Sequence, residues 1–263
     1  MTRISDILAA VRAATPLVHC MTNTVVPEIT ADVLLAVGAA PAMIDLPEEA
    51  EVFAGIASAL LINVGNGSAE QHEGMRRAAP AAHRAGTPWV LDPVAVGGLP
   101  VRTQLARDLL AHRPTAIRAN ASEVLGLAGT SAGGRGVDST DEVDAAVEAA
   151  RQLNGEAGSV VGISGPTDVV VSAQRVTRVT GGDPMMQLVI GTGCSLGAVV
   201  GACLAVADDP HDGVVAAHAL FGAAGLEAAR HAKAPGSFRT QWIDALHTLT
   251  PARVAELVTI EEE

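Results

Sequence analysis

The stretch Ala59-Leu60-Leu61-Ile62-Asn63-Val64-Gly65-Asn66-Gly67, followed by Ala69 to Ala85 and then by Trp89-Val90-Leu91-Asp92-Pro93, decides the architecture. A short apolar run meets a Gly and Asn break, an Ala-rich segment of helical period follows, and a second apolar run ends on a carboxylate. That is the sequence form of a βα unit feeding a second strand. The same rhythm extends in both directions. It predicts strands over Leu17 to Cys20, Pro41 to Ile44, Ala59 to Val64, Trp89 to Leu91, Ala116 to Arg118 and Ser159 to Ile163. Helices are expected over Thr30 to Val37, Ala69 to Ala85, Thr103 to Ala111 and Asp141 to Leu153, the last with acidic residues in its first turn, where they suit the helix dipole. Strands covered by helices on both faces imply a largely parallel sheet. Val169 to Ser172 and Arg175 to Thr180 break the rhythm as two short strands around a turn, which predicts an antiparallel edge. Beyond Gly191 the chain reads as helical through Ala229, with one or two more helices between Gln241 and Val258. No linker, repeat or low-complexity tract interrupts it, so the expectation is an α/β fold in a single domain over residues 1–263.

The 263 residues are 49% hydrophobic but only 2% aromatic, which suits a large core filled by Ala, Val, Leu and Ile. Seventeen basic against twenty-nine acidic side chains leave a formal charge of -12. Such a field repels nucleic acid and anionic membranes, so neither is expected as a partner. An anionic ligand then requires local positive potential from a few Arg residues, a helix N-terminus or a metal ion. Cys20, Cys194 and Cys203 are an odd count without CxxC spacing, which fits a reducing cytoplasm better than a disulfide framework. The N-terminus lacks the apolar run of a signal peptide, and Leu196 to Val206 is too short and Gly-interrupted for a bilayer span of about 20 apolar residues. A soluble cytoplasmic protein is expected.

Four segments carry chemistry. Gly191-Thr192-Gly193-Cys194 is a small-residue turn running into a long apolar helix, and its amides converge where an anion can sit. The bland alternative is a helix start with flexible residues. Cys194 opens that helix, where the dipole is expected to lower the thiol pKa and let it act as a base; otherwise it is a small buried hydrophobe, the reading preferred for Cys203 and Cys20. Leu91-Asp92-Pro93 delivers a carboxylate to the carboxyl end of a strand, where open α/β sheets place ligands, and Asp92 is a candidate to hold Mg²⁺ through water. Arg118 ends another strand and can clamp phosphates with its guanidinium fork, while Asn120 and Glu123 have the spacing of a capping box, which by itself accounts for both. Ser164, in a fourth strand-to-turn segment, offers a hydroxyl to a nucleotide phosphate, or is simply part of a turn. There is no GxxxxGK[ST], and His19, His83 and the other histidines lack metal-ligand spacing, so they are taken as surface or satisfied core residues.

Pro16-Leu17-Val18-His19, Thr22-Asn23-Thr24-Val25-Val26, Leu35 to Ala39, Pro41-Ala42-Met43, Asn63-Val64-Gly65, Leu91-Asp92-Pro93-Val94, Ile117-Arg118, Asn120 to Glu123, Gly136-Val137-Asp138, Gly191 to Cys194 and Pro235-Gly236-Ser237-Phe238 together resemble the hydroxyethylthiazole kinases, in order and over nearly the whole length. The resemblance implies a ribokinase-like three-layer sandwich, a homotrimer, and ATP- and Mg²⁺-dependent phosphorylation of 4-methyl-5-(2-hydroxyethyl)thiazole in thiamine salvage. By that similarity Met43, Gly191, Asn23, Val25 and Gly65 belong to the thiazole side, Arg118, Ser164 and Asn120 to the ATP side, and Asp92 and Glu123 to Mg²⁺. Cys194 stands where other ribokinase-like enzymes carry an aspartate base, with Gly191, Thr192 and Gly193 beside the transferring phosphoryl group. Departures from the family pattern are Ala119 for Gly, Ser164 for Thr, Asn66-Gly67 after Gly65, Asp32 where an amide is usual, and the turn Ala95-Val96-Gly97-Gly98. The alternatives are a kinase for a pyrimidine or pyridoxal alcohol, a repair dehydratase of the same fold, and a ligand-binding homologue without turnover.

Overall fold

A computed structural model describes residues 2–130 and 140–263; the Gly136-Val137-Asp138 match lies outside the described residues. In chain order the elements are α1 (Thr2–Ala14), β1 (Leu17–Met21), α2 (Pro27–Val37), β2 (Ala40–Ala42), α3 (Pro47–Ala54), β3 (Ala59–Asn63), α4 (Ala69–Ala85), β4 (Trp89–Asp92), α5 (Pro100–Leu110), β5 (Ala116–Asn120), α6 (Ala121–Ala128), α7 (Thr140–Ala157), β6 (Val160–Ser164), β7 (Thr167–Val171), β8 (Val176–Thr180), α8 (Thr192–Leu204), α9 (Pro210–His231), α10 (Pro235–Thr248), α11 (Pro251–Leu257) and β9 (Thr259–Glu262). A 3₁₀ turn over Pro184–Leu188 precedes α8. Local chemistry sets many boundaries. Pro27, Pro47, Pro100, Pro210, Pro235 and Pro251 each open a helix, where the missing N–H has no intrahelical use. Ser68 and Gln71 form a reciprocal capping box on α4, and Gly86, at φ +73°, ends it.

The strands form one sheet in the order β2-β1-β3-β4-β5-β6-β7-β8-β9, parallel from β2 to β6 and antiparallel thereafter. Side chains alternate faces along each strand. Leu61 and Val90 join a core with α1, α2, α8, α9 and α10, whereas Leu60, Ile62 and Leu91 join a second core with α3 to α7. The result is the expected three-layer arrangement with a mixed sheet. Register then places chemistry: Asn63 pairs with Asp92, and Asn120 with Ser164, at the carboxyl ends of adjacent parallel strands. Among the described residues, no helix is long and apolar enough to cross a membrane.

The structure departs from the sequence reading at several points. The strand expected over Pro41 to Ile44 instead starts one residue earlier and ends two earlier, at Ala40–Ala42; α3 and β9 are additional to the sequence reading, and the helical region after Gly191 divides at residues 205–209. β9 is rich in Glu and weak as an isolated strand. It is held because it pairs antiparallel with β8 and Glu262 meets Arg175 at 2.7 Å. Leu61 is fully buried in β3, between β1 and β4. Leu61→Ala should cost about 2–5 kcal/mol of stability, read as a lower urea midpoint at unchanged slope.

Candidate active site

The carboxyl end of the sheet gathers a continuous chain of buried polar groups. Asn63 donates from Nδ2 to Asp92 Oδ2 at 2.7 Å, and its Oδ1 accepts from Asn23 Nδ2 at 3.1 Å and from the Gly65 amide at 3.0 Å. Asn23 Nδ2 also reaches Cys194 Sγ at 3.4 Å, and its Oδ1 accepts from the Val25 amide at 3.0 Å. Asn23, Asn63 and Asp92 are all buried. Gly65 is required here, because a Cβ would sit 2.7 Å from Asn63 Oδ1 and 2.8 Å from Asn23 Cβ. Asn63 is the site residue that reading for chemistry passed over. Its signal is a polar side chain at the carboxyl end of an otherwise apolar strand.

Gly191, at φ +91°, turns the chain into α8 against Ile29, whose Cγ2 lies 2.5 Å from where a Cβ would be. The first helical bond runs from the Ser195 amide to Gly191 O, so the amides of Thr192, Gly193 and Cys194 lie in the first turn, before the intrahelical ladder begins. A Cβ on Gly193 would be 3.1 Å from Arg118 Nη1, so this helix start faces the guanidinium directly. The expected lowering of the Cys194 pKa is corrected by the structure. Burial and the neighbouring Asp92 raise it, against smaller lowering effects of Asn63, Arg118 and Asn23. Loss of water around the sulfur outweighs the helix start. Burial pushes Cys20 and Cys203 to about 12, which fits their structural reading.

Arg118 Nη2 donates to Ser164 Oγ at 2.8 Å, and Nη1 lies 3.9 Å from Asp92 Oδ1. Burial pushes the Asp92 carboxyl up to about 7; Arg118 and Asn63 oppose the rise, and Glu123 adds to it. Asp92 Oδ1 is buried and accepts no hydrogen bond among the described residues. Arg118, Asn120 and Ser164 line a cleft of about 550 Å³ with Thr192, Gly193 and Phe221. The Asn120 and Glu123 capping box is fully formed: Asn120 Oδ1 accepts from the Glu123 amide at 2.9 Å, and Glu123 Oε2 accepts from the Asn120 amide at 3.0 Å. Glu123 Oε1 takes the amide of Ala95 at 3.0 Å, which holds the turn after Asp92 in its left-handed bend at φ +60°. Both oxygens of Glu123 are therefore engaged by the backbone. Among the described residues, no group of three or more His, Cys, Asp or Glu side chains is arranged to hold a metal ion.

Asn23, Gly65 and Cys194 thus come together, as do Arg118, Ser164 and Gly193. Val25 and Met43 lie on this same edge of the sheet, yet are 52% and 39% exposed. His19, in β1, is a core histidine but only half satisfied, short of the expectation: it is fully buried, its Nε2 lies 2.7 Å from Ile44 O and its ring meets Phe53 edge-on, while its Nδ1 is buried without a hydrogen-bond partner among the described residues.

Comparisons with known proteins agree in direction. The sequence profile of the hydroxyethylthiazole kinase family matches residues 8–252. The chain is 56% identical to a hydroxyethylthiazole kinase of Corynebacterium glutamicum (strain R) over 98% of its own length and 97% of that protein's. It is 50% identical to one from Pectobacterium carotovorum subsp. carotovorum (strain PC1), covering 92% of each. A solved hydroxyethylthiazole kinase structure from Pyrococcus horikoshii OT3 superposes with a TM-score of 0.92 over 100% of both chains at 31% identity. A pyridoxal kinase of Staphylococcus aureus shares the fold at a TM-score of 0.61 and 17% identity, over 80% of this chain and 87% of that one.

Burial lowers the His19 pKa from 6.5, against raising effects of Ile44 O and Asp45. The folded ring is favoured neutral, so its stabilising contribution is complete above pH 6.5 and is lost as pH falls below that value. Between pH 7.5 and 5.5 the melting temperature should therefore fall less in His19→Gln, which keeps a donor for Ile44 O, than in the unmodified protein. Parallel curves for the two proteins would exclude His19 as the titrating group.

Proposed function

Because the chain belongs to the hydroxyethylthiazole kinase family, we propose that residues 1–263 form one kinase domain that transfers the γ-phosphoryl group of ATP to the hydroxyl of 4-methyl-5-(2-hydroxyethyl)thiazole. The observation that carries this reading is the Arg118 guanidinium, which lies between Ser164 Oγ and Asp92, lines the 550 Å³ cleft and faces the first turn of α8. Phosphoryl transfer passes through a loose transition state, so alignment and charge compensation supply most of the rate.

ATP enters the cleft with its phosphates toward Arg118 and Ser164, and Asn120 lines the same wall. The amides of Thr192, Gly193 and Cys194 take the charge that builds on the transferring group, with Gly191 setting their direction. The thiazole lies on the other side of Cys194, against Asn23, Val25, Met43, Gly65 and Gly191. Cys194 orients the attacking hydroxyl. Its raised pKa keeps it a thiol at neutral pH and favours orientation over full deprotonation, and the hydroxyl proton passes late, after the new O–P bond is largely made, to an oxygen of the transferred phosphoryl group, while ADP leaves with the bridging oxygen. A bound Mg²⁺ would supply positive charge to the phosphates in this acidic protein. Asp92 Oδ1, buried and without a hydrogen bond, is the carboxylate oxygen suited to hold it, directly or through water. Glu123 stands further back, its oxygens engaged by the Ala95 and Asn120 amides. The exposure of Val25 and Met43 supports a homotrimer in which a neighbouring subunit covers the thiazole. The formal charge of -12 and the free thiols suit a cytoplasmic enzyme that avoids nucleic acid and membranes.

An ATP-consumption assay with Mg²⁺, comparing hydroxyethylthiazole with hydroxymethylpyrimidine and pyridoxal, should give phosphorylated thiazole as the dominant product. Turnover of a rival alcohol alone would displace the substrate, and no turnover would favour a binding protein. Cys194→Ala should lower kcat about 100-fold or more while the KM for ATP changes little. An unchanged kcat would remove Cys194 from the mechanism.

A further inference from the structure

His218, in the middle of α9, is fully buried, and its Nδ1 lies 2.7 Å from Asp168 Oδ2. Asp168 is at the start of β7 and lines the nucleotide cleft. Its other oxygen, Oδ1, accepts the backbone amide of Gly165 at 2.9 Å. Gly165 directly follows Ser164, whose hydroxyl takes the Arg118 guanidinium. A single line of hydrogen bonds thus runs from a buried ring in a helix, through a carboxylate, to the tight turn that joins β6 to β7 at the cleft.

Two further features show that the surroundings are shaped to this ring. Gly162, the β6 residue paired with Arg118, lies under it, and a Cβ there would fall 2.6 Å from His218 Nε2. The position excludes any side chain so that the imidazole can rest on the strand. One turn further along α9, Phe221 and Gly222 line the same cleft, so the helix face that carries His218 is also the cleft wall. Nothing in the phosphoryl-transfer chemistry needs an imidazole at this place, and a buried aliphatic side chain would fill the volume more simply. A polar group kept in such a place is best accounted for by the partner it orients.

We propose that His218 is a positioning residue for ATP. By holding Asp168, it fixes the Ser164-Gly165 turn so that the Ser164 hydroxyl and the Gly165 amide stay in register with Arg118 when the nucleotide binds. This rests on the reading of the cleft as the ATP site and extends it to a residue that does not line the cleft. The thiazole side, built from Asn23, Gly65 and Cys194, shares none of these hydrogen bonds, so the effect is confined to one substrate.

The test compares the full-length protein with His218→Leu, His218→Asn, Asp168→Ala and Arg118→Ala. The readouts are the dissociation constant of the non-hydrolysable analogue AMP-PNP with Mg²⁺, and the separate KM values for ATP and thiazole. His218→Leu and Asp168→Ala should each weaken AMP-PNP and raise the ATP KM about tenfold, with the thiazole KM within twofold of the unmodified protein. His218→Asn, whose Nδ2 can take the place of the ring Nδ1, should restore most of the affinity. Unchanged nucleotide affinity in His218→Leu, failure of Asn to restore it, or equal weakening of both substrates overturns the proposal. Should the Leu variant not fold, Asp168→Ala decides: 20% exposed at its side chain, it is the milder change, and wild-type affinity there refutes the proposal equally. Arg118→Ala separates the two levels, since undiminished AMP-PNP affinity in that variant would reject the cleft as the ATP site.

Discussion

The Arg118 guanidinium is the interaction on which the site depends. Among the described residues it is the sole buried Arg or Lys, in a chain that carries a formal charge of -12. A buried cation is costly unless it is paired and hydrogen-bonded, and this one is held by Ser164 and faces Asp92. Those two partners come from β6 and β4, on either side of the strand that carries Arg118. The parallel register of three strands thereby becomes a requirement of charge compensation. The close approach of α8 at Gly193 follows from the same constraint, since any side chain there would meet the guanidinium.

Around Cys194, order comes from amide side chains. Once Asp92 accepts from Asn63, the direction of every later hydrogen bond is set: Asn63 must present oxygen to Asn23, and Asn23 must present nitrogen to Cys194. The sulfur is thus held as an acceptor in a pocket that disfavours the thiolate. A carboxylate whose pKa is raised to about 7 and a thiol whose pKa is raised as well both follow first from burial. Charge that develops beside fixed hydrogen-bond donors in such a place is stabilised more strongly than it would be in water.

Much of this could be read from the chain. The six principal strands, the hairpin that ends the parallel run, Asp92 at a strand end and the cap formed by Asn120 and Glu123 all follow from period, breaks and spacing, which are local properties. What escaped depends on tertiary packing. Asn63 looks like the polar end of an apolar strand until Asp92 and Asn23 stand beside it. The Cys194 pKa moves opposite to the direction that its place on the helix suggests, because burial is fixed by segments far away in sequence. The Glu123 spacing satisfied two readings at once, and only the Ala95 amide on its second oxygen shows how fully the backbone uses it. β9, assembled from residues of low strand propensity, exists because β8 and Arg175 provide a template.

The two ends of the nine-stranded sheet differ from its interior in a way that bears on life at high protein concentration. One margin is β2, three residues long with Pro41 at its centre, which has no amide hydrogen to offer an incoming strand. The other is β9, where Glu262 is paired to Arg175 and the following Glu263 to Arg178, with Glu261 beside them. A strand from another molecule would meet a missing donor on one side and a row of charged, ion-paired side chains on the other. Both are recognised barriers to edge-to-edge growth. A sheet this wide and this rich in Val, Leu and Ile is thereby protected against fibril-like self-addition at its margins, while its covered faces contribute stability.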